Sequence, residues 1–354
     1  MKKETRVILN LAAVGALFCL LWWASLNLDN YKLRIINLIA INAILGLSLN
    51  LIYGMTGMFS LGHAGFMAVG AYVSSLLLLT PAQKSSMWLL EPIAPWLLNL
   101  NAPFIVSLVL AGLAAAFVGW LIAMPVLRLG VGGDYLGIVT LGFAEIIRIL
   151  IVNMTRYTNG SLGLKGIPAH TDIWMTCGCL LVVVFFMVRM MNSNFGNVLR
   201  AIRDDEIAAR TMGINTFKVR TLAFTIGCFG GGLGGALMGN LITTIDPRMF
   251  MITQTFNLLM IVVVGGLGSI TGTIMGSVFV TTMLEWLRIV ENPVTIGSFH
   301  IPGIPGMRMV IFSLLLIAVI IFRREGIMGT REFSWDWFFP KPKAPVKNRV
   351  KGAE

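Results

Sequence analysis

The chain has 354 residues, of which 56% are hydrophobic and 12% are charged, and 27 Lys and Arg against 16 Asp and Glu give a net charge of +11. Soluble domains carry roughly a quarter charged residues, so this composition excludes a water-soluble globule. It also excludes collagen-like, disulfide-rich and disordered chains. The sequence therefore predicts an all-α integral membrane protein, built as a polytopic helical bundle.

Ten apolar segments are candidate membrane spans, and they predict about ten crossings. In chain order they are Val7–Leu26, Ile35–Tyr53, His63–Thr80, Pro103–Leu127, Tyr135–Met154, Ile173–Met190, Thr221–Ile245, Met249–Val264, Thr271–Leu287 and Ile304–Phe322. The segment Met249–Val264 is short for a full crossing, so a broken or re-entrant element is the alternative there.

The distribution of basic residues predicts the orientation. With ten crossings and the amino terminus inside, most Lys and Arg face the cytoplasm, so both termini are predicted to be cytoplasmic. The chain then divides into a transmembrane domain at 1–325, with an internal loop at 192–218, and a basic cytoplasmic tail at 326–354. This placement accounts for the positive charge without a nucleic acid partner.

Motifs for catalysis are missing from the sequence. It contains no G-x-x-x-x-G-K-[ST], no H-E-x-x-H and no G-x-S-x-G, and its carboxylates and histidines do not cluster. No catalytic residue, metal site or bound cofactor is therefore predicted for this chain.

A few polar side chains lie inside the predicted spans. Glu145 and Arg148 are three residues apart, so they can pair on one helical face, either lining a transport path or forming a self-neutralised structural pair. Asn42 and Asn50 share a face with Gly46 at steps of four. That stripe fits either interhelical hydrogen bonds or a wet pathway.

Glycine marks three further places. The series Gly227, Gly231, Gly235 and Gly239 forms a smooth stripe in one span, which favours close packing of another helix. The segments 54–63 and 265–272 combine glycine with hydroxyl side chains. An interruption of helical structure of that kind in a membrane protein lines a substrate cavity or forms a tight turn, and both interpretations stay open.

The internal loop differs from the other connections. Asp204, Asp205 and Glu206 suit the amino terminus of a helix, which Ala208 and Ala209 continue and Gly213 ends. We expect a short surface helix that fits a groove on a partner, with charged residues at its flanks and small side chains in its middle. A solvated amphipathic loop is the alternative.

At this loop the sequence resembles a known family. Glu206, Ala208-Ala209 and Gly213 are similar to the E-A-A-x-x-x-G coupling loop of bacterial ABC importer permeases. The segments 54–72, 135–148 and 265–272 resemble the branched-chain amino acid permeases, in particular the LivM-type subunit. The resemblance covers roughly 35–325 and implies the ABC importer permease architecture.

The resemblance implies partners and roles. A LivH-type permease would complete the channel, two cytoplasmic ATPases would bind ATP, and a periplasmic binding protein would deliver leucine, isoleucine or valine, all at the bacterial inner membrane. The residues expected to couple to an ATPase are Arg200, Arg203, Asp204, Asp205, Glu206, Ala208, Ala209 and Gly213. The residues expected near the translocation pathway are Asn42, Asn50, Ser60, His63, Glu145 and Arg148.

The sequence leaves two alternative functions: an ABC permease for a different substrate and an ion-coupled secondary transporter. Related permeases carry urea, amides or other amino acids, so the substrate is the open point. An ion-coupled secondary transporter would need acidic groups in the middle of the membrane. Glu145 is the strong candidate for such a group, and Arg148 offers it a partner.

Overall fold

The computed structural model describes residues 3–88, 91–128, 134–291, 294–296, 299–301, 306–322, 326–329 and 331–333. The long helices are α1 (Lys3–Asn27), α2 (Asn30–Asn50), α3 (His63–Leu78), α6 (Phe104–Arg128), α7 (Asp134–Asn153), α9 (Ile173–Met191), α12 (Thr216–Ile242), α13 (Ile252–Gly265), α14 (Ile270–Trp286) and α16 (Met307–Phe322). Most of the predicted tail, 334–354, lies outside these residues.

Short elements connect the long helices. The short helices are α4 (Pro81–Met87), α5 (Pro95–Leu98), α8 (Thr155–Thr158), α10 (Asn194–Asp204), α11 (Glu206–Thr211) and α15 (Arg288–Glu291). A π-helical turn, Leu51–Met55, follows α2, and 3-10 turns lie at Gly160–Leu162 and Pro247–Phe250. Strands β1 (Leu164–Lys165) and β2 (Thr244–Ile245) pair antiparallel, as do β3 (Val294–Ile296) and β4 (Phe299–Ile301).

Each of the ten predicted segments contains a helix, but the count of ten crossings is not confirmed. Within the described ranges five helices are long and apolar enough to cross a membrane: α2 with its π-helical turn, α6, α7, α9 and α12. A sixth span arises if α3 and α4 are one span, bent by 117° at the break before Pro81. Helices α13, α14 and α16 have only 14, 17 and 16 residues.

Helix α12 lies at the centre of the bundle, packed on α2, α3 and α6. Burial follows this arrangement. In the most apolar stretch of each helix, 72% of the residues are buried inside the chain in α2 with its π-helical turn, against 28% in α9. The outward faces of α6, α7 and α9 carry exposed large apolar side chains, among them Phe117, Ile138 and Phe185. An apolar outer surface of this kind requires lipid or another membrane protein around it.

The bounds of α12 differ from the predicted span. The helix begins five residues earlier, at Thr216, because the Asn215 side chain accepts a hydrogen bond from the Lys218 backbone nitrogen, 3.0 Å away. It ends at Ile242, because Thr243 adopts a left-handed conformation with φ 60°. The predicted end at Ile245 is therefore wrong, since that residue lies in β2.

Candidate functional site

The 192–218 segment folds as two helices rather than one. The predicted helix start is present: Asp205 has extended backbone angles, and its carboxylate accepts hydrogen bonds from the backbone nitrogens of Ile207 and Ala208, at 2.8 and 3.0 Å. The sequence interpretation missed α10, which precedes this break and ends at Asp204. Helix α10 buries Leu199 and Ile202, three positions apart, and that spacing was the available signal.

Gly213 closes α11. Its φ is +81°, a region that side-chain-bearing residues rarely adopt. The backbone nitrogens of Gly213 and Ile214 donate to the carbonyls of Arg210 and Ala209 at 3.0 and 3.2 Å, which ends the helix with satisfied carbonyls.

Glu206 attaches α11 to α12. Its carboxylate pairs with Arg210 at 2.6 Å and with Arg220 of α12, and it accepts a hydrogen bond from the Thr216 hydroxyl at 3.3 Å. Partial burial raises the pKa of this carboxyl, but charge attraction and hydrogen bonds from Arg220 and Arg210 outweigh burial, so the pKa lies below its ordinary value of 4.5. Glu206 thus holds α11 against the first turns of α12.

The outer side of α11 presents apolar side chains that the sequence interpretation did not single out. Ile207 is 77% exposed and Met212 is 82% exposed, and Ala208 between them is also exposed. Ala209 points inward and is buried. A firmly attached helix with two exposed large apolar side chains has the chemistry of a docking surface.

Arg203 points from α10 into the molecule. Its Nη1 donates to the Gly54 carbonyl at 3.2 Å, and a Cβ built on Gly268 would lie 3.1 Å from the same nitrogen. Its side chain also pairs with neighbouring Asp204 at 3.2 Å. Arg200, by contrast, donates to the Met191 carbonyl at the end of α9 and to the Asn197 side chain within α10.

The two glycine-rich turns, 54–63 and 265–272, lie against each other. A Cβ on Gly54 would meet the Gly268 backbone nitrogen at 2.3 Å, so no side chain fits there. Asn50 holds the contact: its amide nitrogen donates to the Ser269 carbonyl and the Thr273 hydroxyl, and its oxygen accepts from the Gly268 nitrogen at 2.8 Å. Arg203, Gly54, Gly268 and Asn50 therefore form one connected cluster.

The polar stripe of α2 faces α14. Asn42 donates to the Thr281 hydroxyl at 2.9 Å, and a Cβ on Gly46 would lie 2.9 Å from the Thr273 methyl. Together with Asn50, these contacts agree with hydrogen bonding between helices, which was one of the two interpretations of the stripe. Their role in a translocation pathway stays a prediction.

The other pathway candidates lie in two separate places. His63 is fully buried, its Nε2 is 2.7 Å from the Ser48 hydroxyl, and within the described residues its Nδ1 and the Ser60 hydroxyl have no hydrogen-bond partner. Glu145 and Arg148 form the ion pair that their spacing predicts, with Nε 2.9 Å from Oε1. The Glu145 side chain is 48% exposed, so the pair lies at the surface of this chain.

The glycine stripe of α12 permits the close approach of neighbouring helices. A Cβ on Gly235 would lie 2.2 Å from the Met67 carbonyl of α3, and one on Gly227 would lie 2.5 Å from Ile52. Gly231 lies beside His63, and Gly239 lies beside Ile245 and Ala71. Gly230, Gly232 and Gly234, which were not singled out, make similar approaches to Ser48, Ala115 and Leu45.

The last described residues return to the second glycine-rich turn. The backbone nitrogens of Ile327 and Met328 donate to the carbonyls of Val264 and Gly265 at 2.8 and 3.1 Å. The Glu332 carboxylate accepts from the Ile270 and Thr271 nitrogens at the start of α14. A carboxylate in this position stabilises the helix amino terminus.

These features define a multi-pass helical membrane protein. A sequence model described as branched-chain amino acid transport system / permease component matches residues 31–320, and the chain belongs to this family, as its motifs suggested. The high-affinity branched-chain amino acid transport system permease protein LivM of Escherichia coli (strain K12) is 30% identical over 328 residues, covering 83% of this chain and 69% of that relative.

More distant relatives extend the comparison. The probable branched-chain amino acid transport permease protein LivM of Methanocaldococcus jannaschii is 24% identical, over 80% of this chain and 89% of its own length. The permease protein LivH of Escherichia coli (strain K12) is also 24% identical, over 82% and 92%. No solved structure shows a significant match to the chain.

Proposed function

We propose that this chain is a LivM-type permease subunit of an ABC importer that carries branched-chain amino acids across the bacterial inner membrane. The family match over 31–320 and the names of the relatives support this function. The structural observation that carries it is the α10–α11 segment, which is tied to the bundle and presents Ile207 and Met212 outward. In this proposal the chain itself binds no ATP, and the partner subunits bind and hydrolyse ATP.

The α10–α11 segment is the proposed contact with an ATPase. Ile207 and Met212 would enter an apolar groove of that partner, since well-packed apolar anchors at the centre of an interface supply most of its binding energy. Asp205, Glu206 and Gly213 shape the segment, because they start, attach and end α11. The exposed charges at its flanks set orientation and association rate more than affinity.

The proposed route for force leads from α10 into the bundle through Arg203. Movement of α10 pulls on the Gly54 carbonyl, and Gly54 touches Gly268 by backbone alone. Asn50 fixes that contact to both α2 and α14, so the two helices respond together. Packed elements with discrete arrangements transmit displacement in this way.

The proposed importer needs three further partners and a defined orientation. A homologous LivH-type permease would cover part of the apolar outer surface, and a periplasmic binding protein would deliver the solute. A second ATPase would act on the LivH-type subunit. The excess of Lys and Arg in the loops supports cytoplasmic termini and a cytoplasmic α10–α11 segment.

Uptake by the reconstituted importer tests the function. With both permeases, the ATPases and the binding protein in vesicles, leucine uptake should stop when ATP is removed and continue when the proton gradient is collapsed. The reverse pattern would support an ion-coupled transporter. Competition by urea, amides and other amino acids in the same assay tests the alternative substrates.

A further inference from the structure

Two adjacent cavities follow α9 to its carboxyl end, and they share Phe186 and Ile226 as walls. The first, of about 430 Å³, lies between α9 and α12 and is lined almost wholly by apolar side chains such as Val182 and Leu233. The second, of about 490 Å³, lies at the end of α9 and adds Arg189 to its lining. The pair forms one recess, which runs from the apolar span to its polar boundary.

The first cavity suits hydrocarbon rather than a charged solute. Its two hydroxyl side chains already have partners: Ser48 donates to the Leu45 carbonyl at 2.7 Å, and Thr225 donates to the Thr221 carbonyl at 2.8 Å. A zwitterion there would lose its hydration without gaining hydrogen bonds. The cavity also opens outward, since Val182 is 68% exposed.

One cation lines the recess, and a second lies one helical turn beyond its lining. Arg189 lies in the last turn of α9, and Lys218 lies in the first turn of α12, four residues before Leu222, which lines the second cavity. Positions four apart share a helical face, so Lys218 lies on the side of α12 that carries Leu222. Both cations are exposed, and in the described part of the chain neither side chain makes a hydrogen bond or an ion pair.

We propose that this recess binds one anionic glycerophospholipid. An acyl chain fills the apolar cavity, and the headgroup phosphodiester lies at the mouth, between Arg189 and Lys218. Basic residues at the boundary of a transmembrane bundle recognise anionic headgroups in this way, and an adjoining apolar groove adds the burial of methylene groups. The bound lipid would pack α9 against α12 at the base of the α10–α11 segment.

Native mass spectrometry of the full chain in detergent tests the headgroup. The probes are phosphatidylglycerol and phosphatidylcholine with matched acyl chains, and wild type should retain one phosphatidylglycerol in preference to phosphatidylcholine. The double variant R189Q/K218Q should bind phosphatidylglycerol roughly thirtyfold more weakly, since each cation near an anionic lipid contributes about fivefold. The control is R128Q, which removes an exposed cation at the end of α6, outside the recess.

A second pair of variants tests the acyl groove. V182W narrows the groove at its most exposed wall and should reduce retention of both lipids. F185W changes a neighbouring, 74% exposed residue of α9 that does not line the groove, and it should have no effect. Equal losses in R189Q/K218Q and R128Q would overturn the proposal. So would a cross-link from position 182 to the second permease in a complex that retains no lipid.

Discussion

Replacing Arg203 with methionine tests whether α10 acts on the glycine-rich turns. The change keeps an unbranched apolar stem and removes the hydrogen bond to the Gly54 carbonyl. Hydrogen bonds to charged groups contribute roughly 1.5–3 kcal/mol. Because this bond is 3.2 Å long and the Arg203 side chain is 31% exposed, the lower end applies. A loss of about 1.5 kcal/mol in coupling corresponds to roughly a tenfold change.

The assay compares leucine uptake with ATP hydrolysis in vesicles that hold the whole importer. R203M should assemble with the ATPases and hydrolyse ATP, while uptake per ATP falls about tenfold. R200M is the matched control, because Arg200 lies on the same helix, and among the described residues its side chain donates to Met191 and Asn197 and not to the glycine-rich turns. Normal coupling in R203M, or an equal defect in both variants, would refute the transmission route.

Three further changes have definite expected outcomes. G235A should lower the thermal stability of the purified chain, since its Cβ would lie 2.2 Å from a backbone carbonyl, whereas G178A, which has open space, should not. N50L removes three hydrogen bonds and should cost about 3 kcal/mol in stability, while N153L removes one exposed bond within α7 and should cost little. Limited proteolysis of α10–α11 should be slow at neutral pH and rise on acidification only below pH 4.5. The pKa of Glu206 lies below that ordinary value, and the ion pairs of Glu206 with Arg220 and Arg210 are lost as the pH falls through the lowered pKa. E206Q should be cut readily at every pH.

Each of these outcomes has a clear contrary result. A G235A protein as stable as G178A would mean that α3 and α12 do not approach as closely as described. An N50L protein with unchanged stability would remove Asn50 as the link between the turns. Proteolysis of wild type that rises already near neutral pH would show that the Arg220 and Arg210 pairs do not hold Glu206.

The apolar runs of the sequence were sufficient to predict most helices. The bounds of α6, α7 and α9 fall within about one residue of the predicted spans, because the apolar run of each helix reaches to within one or two residues of both ends. Helix α10 was missed because it is amphipathic, with only one face buried. The polar first turn of α12 was missed because it lies outside the apolar run.

The connected cluster could not be predicted from the sequence. The two glycine-rich turns were both identified, but Gly54 and Gly268 are far apart in the chain, and periodicity carries no information on their contact. The direction of the Arg203 side chain, inward rather than outward, depends on that contact. Exposure of Ile207 likewise depends on which face of α11 packs against the bundle, and that became clear only from the Glu206–Arg220 pair.

Cysteine cross-linking at position 212 tests the central claim most directly. In a chain whose native cysteines Cys19, Cys177, Cys179 and Cys228 are replaced, a single cysteine in place of Met212 should cross-link to an ATPase subunit in the assembled importer. It should react with membrane-impermeant thiol reagents only after the cytoplasmic face is opened. Labelling from outside intact cells, or an ATPase that hydrolyses and couples normally without ever cross-linking there, would contradict the proposal that α10–α11 receives the force.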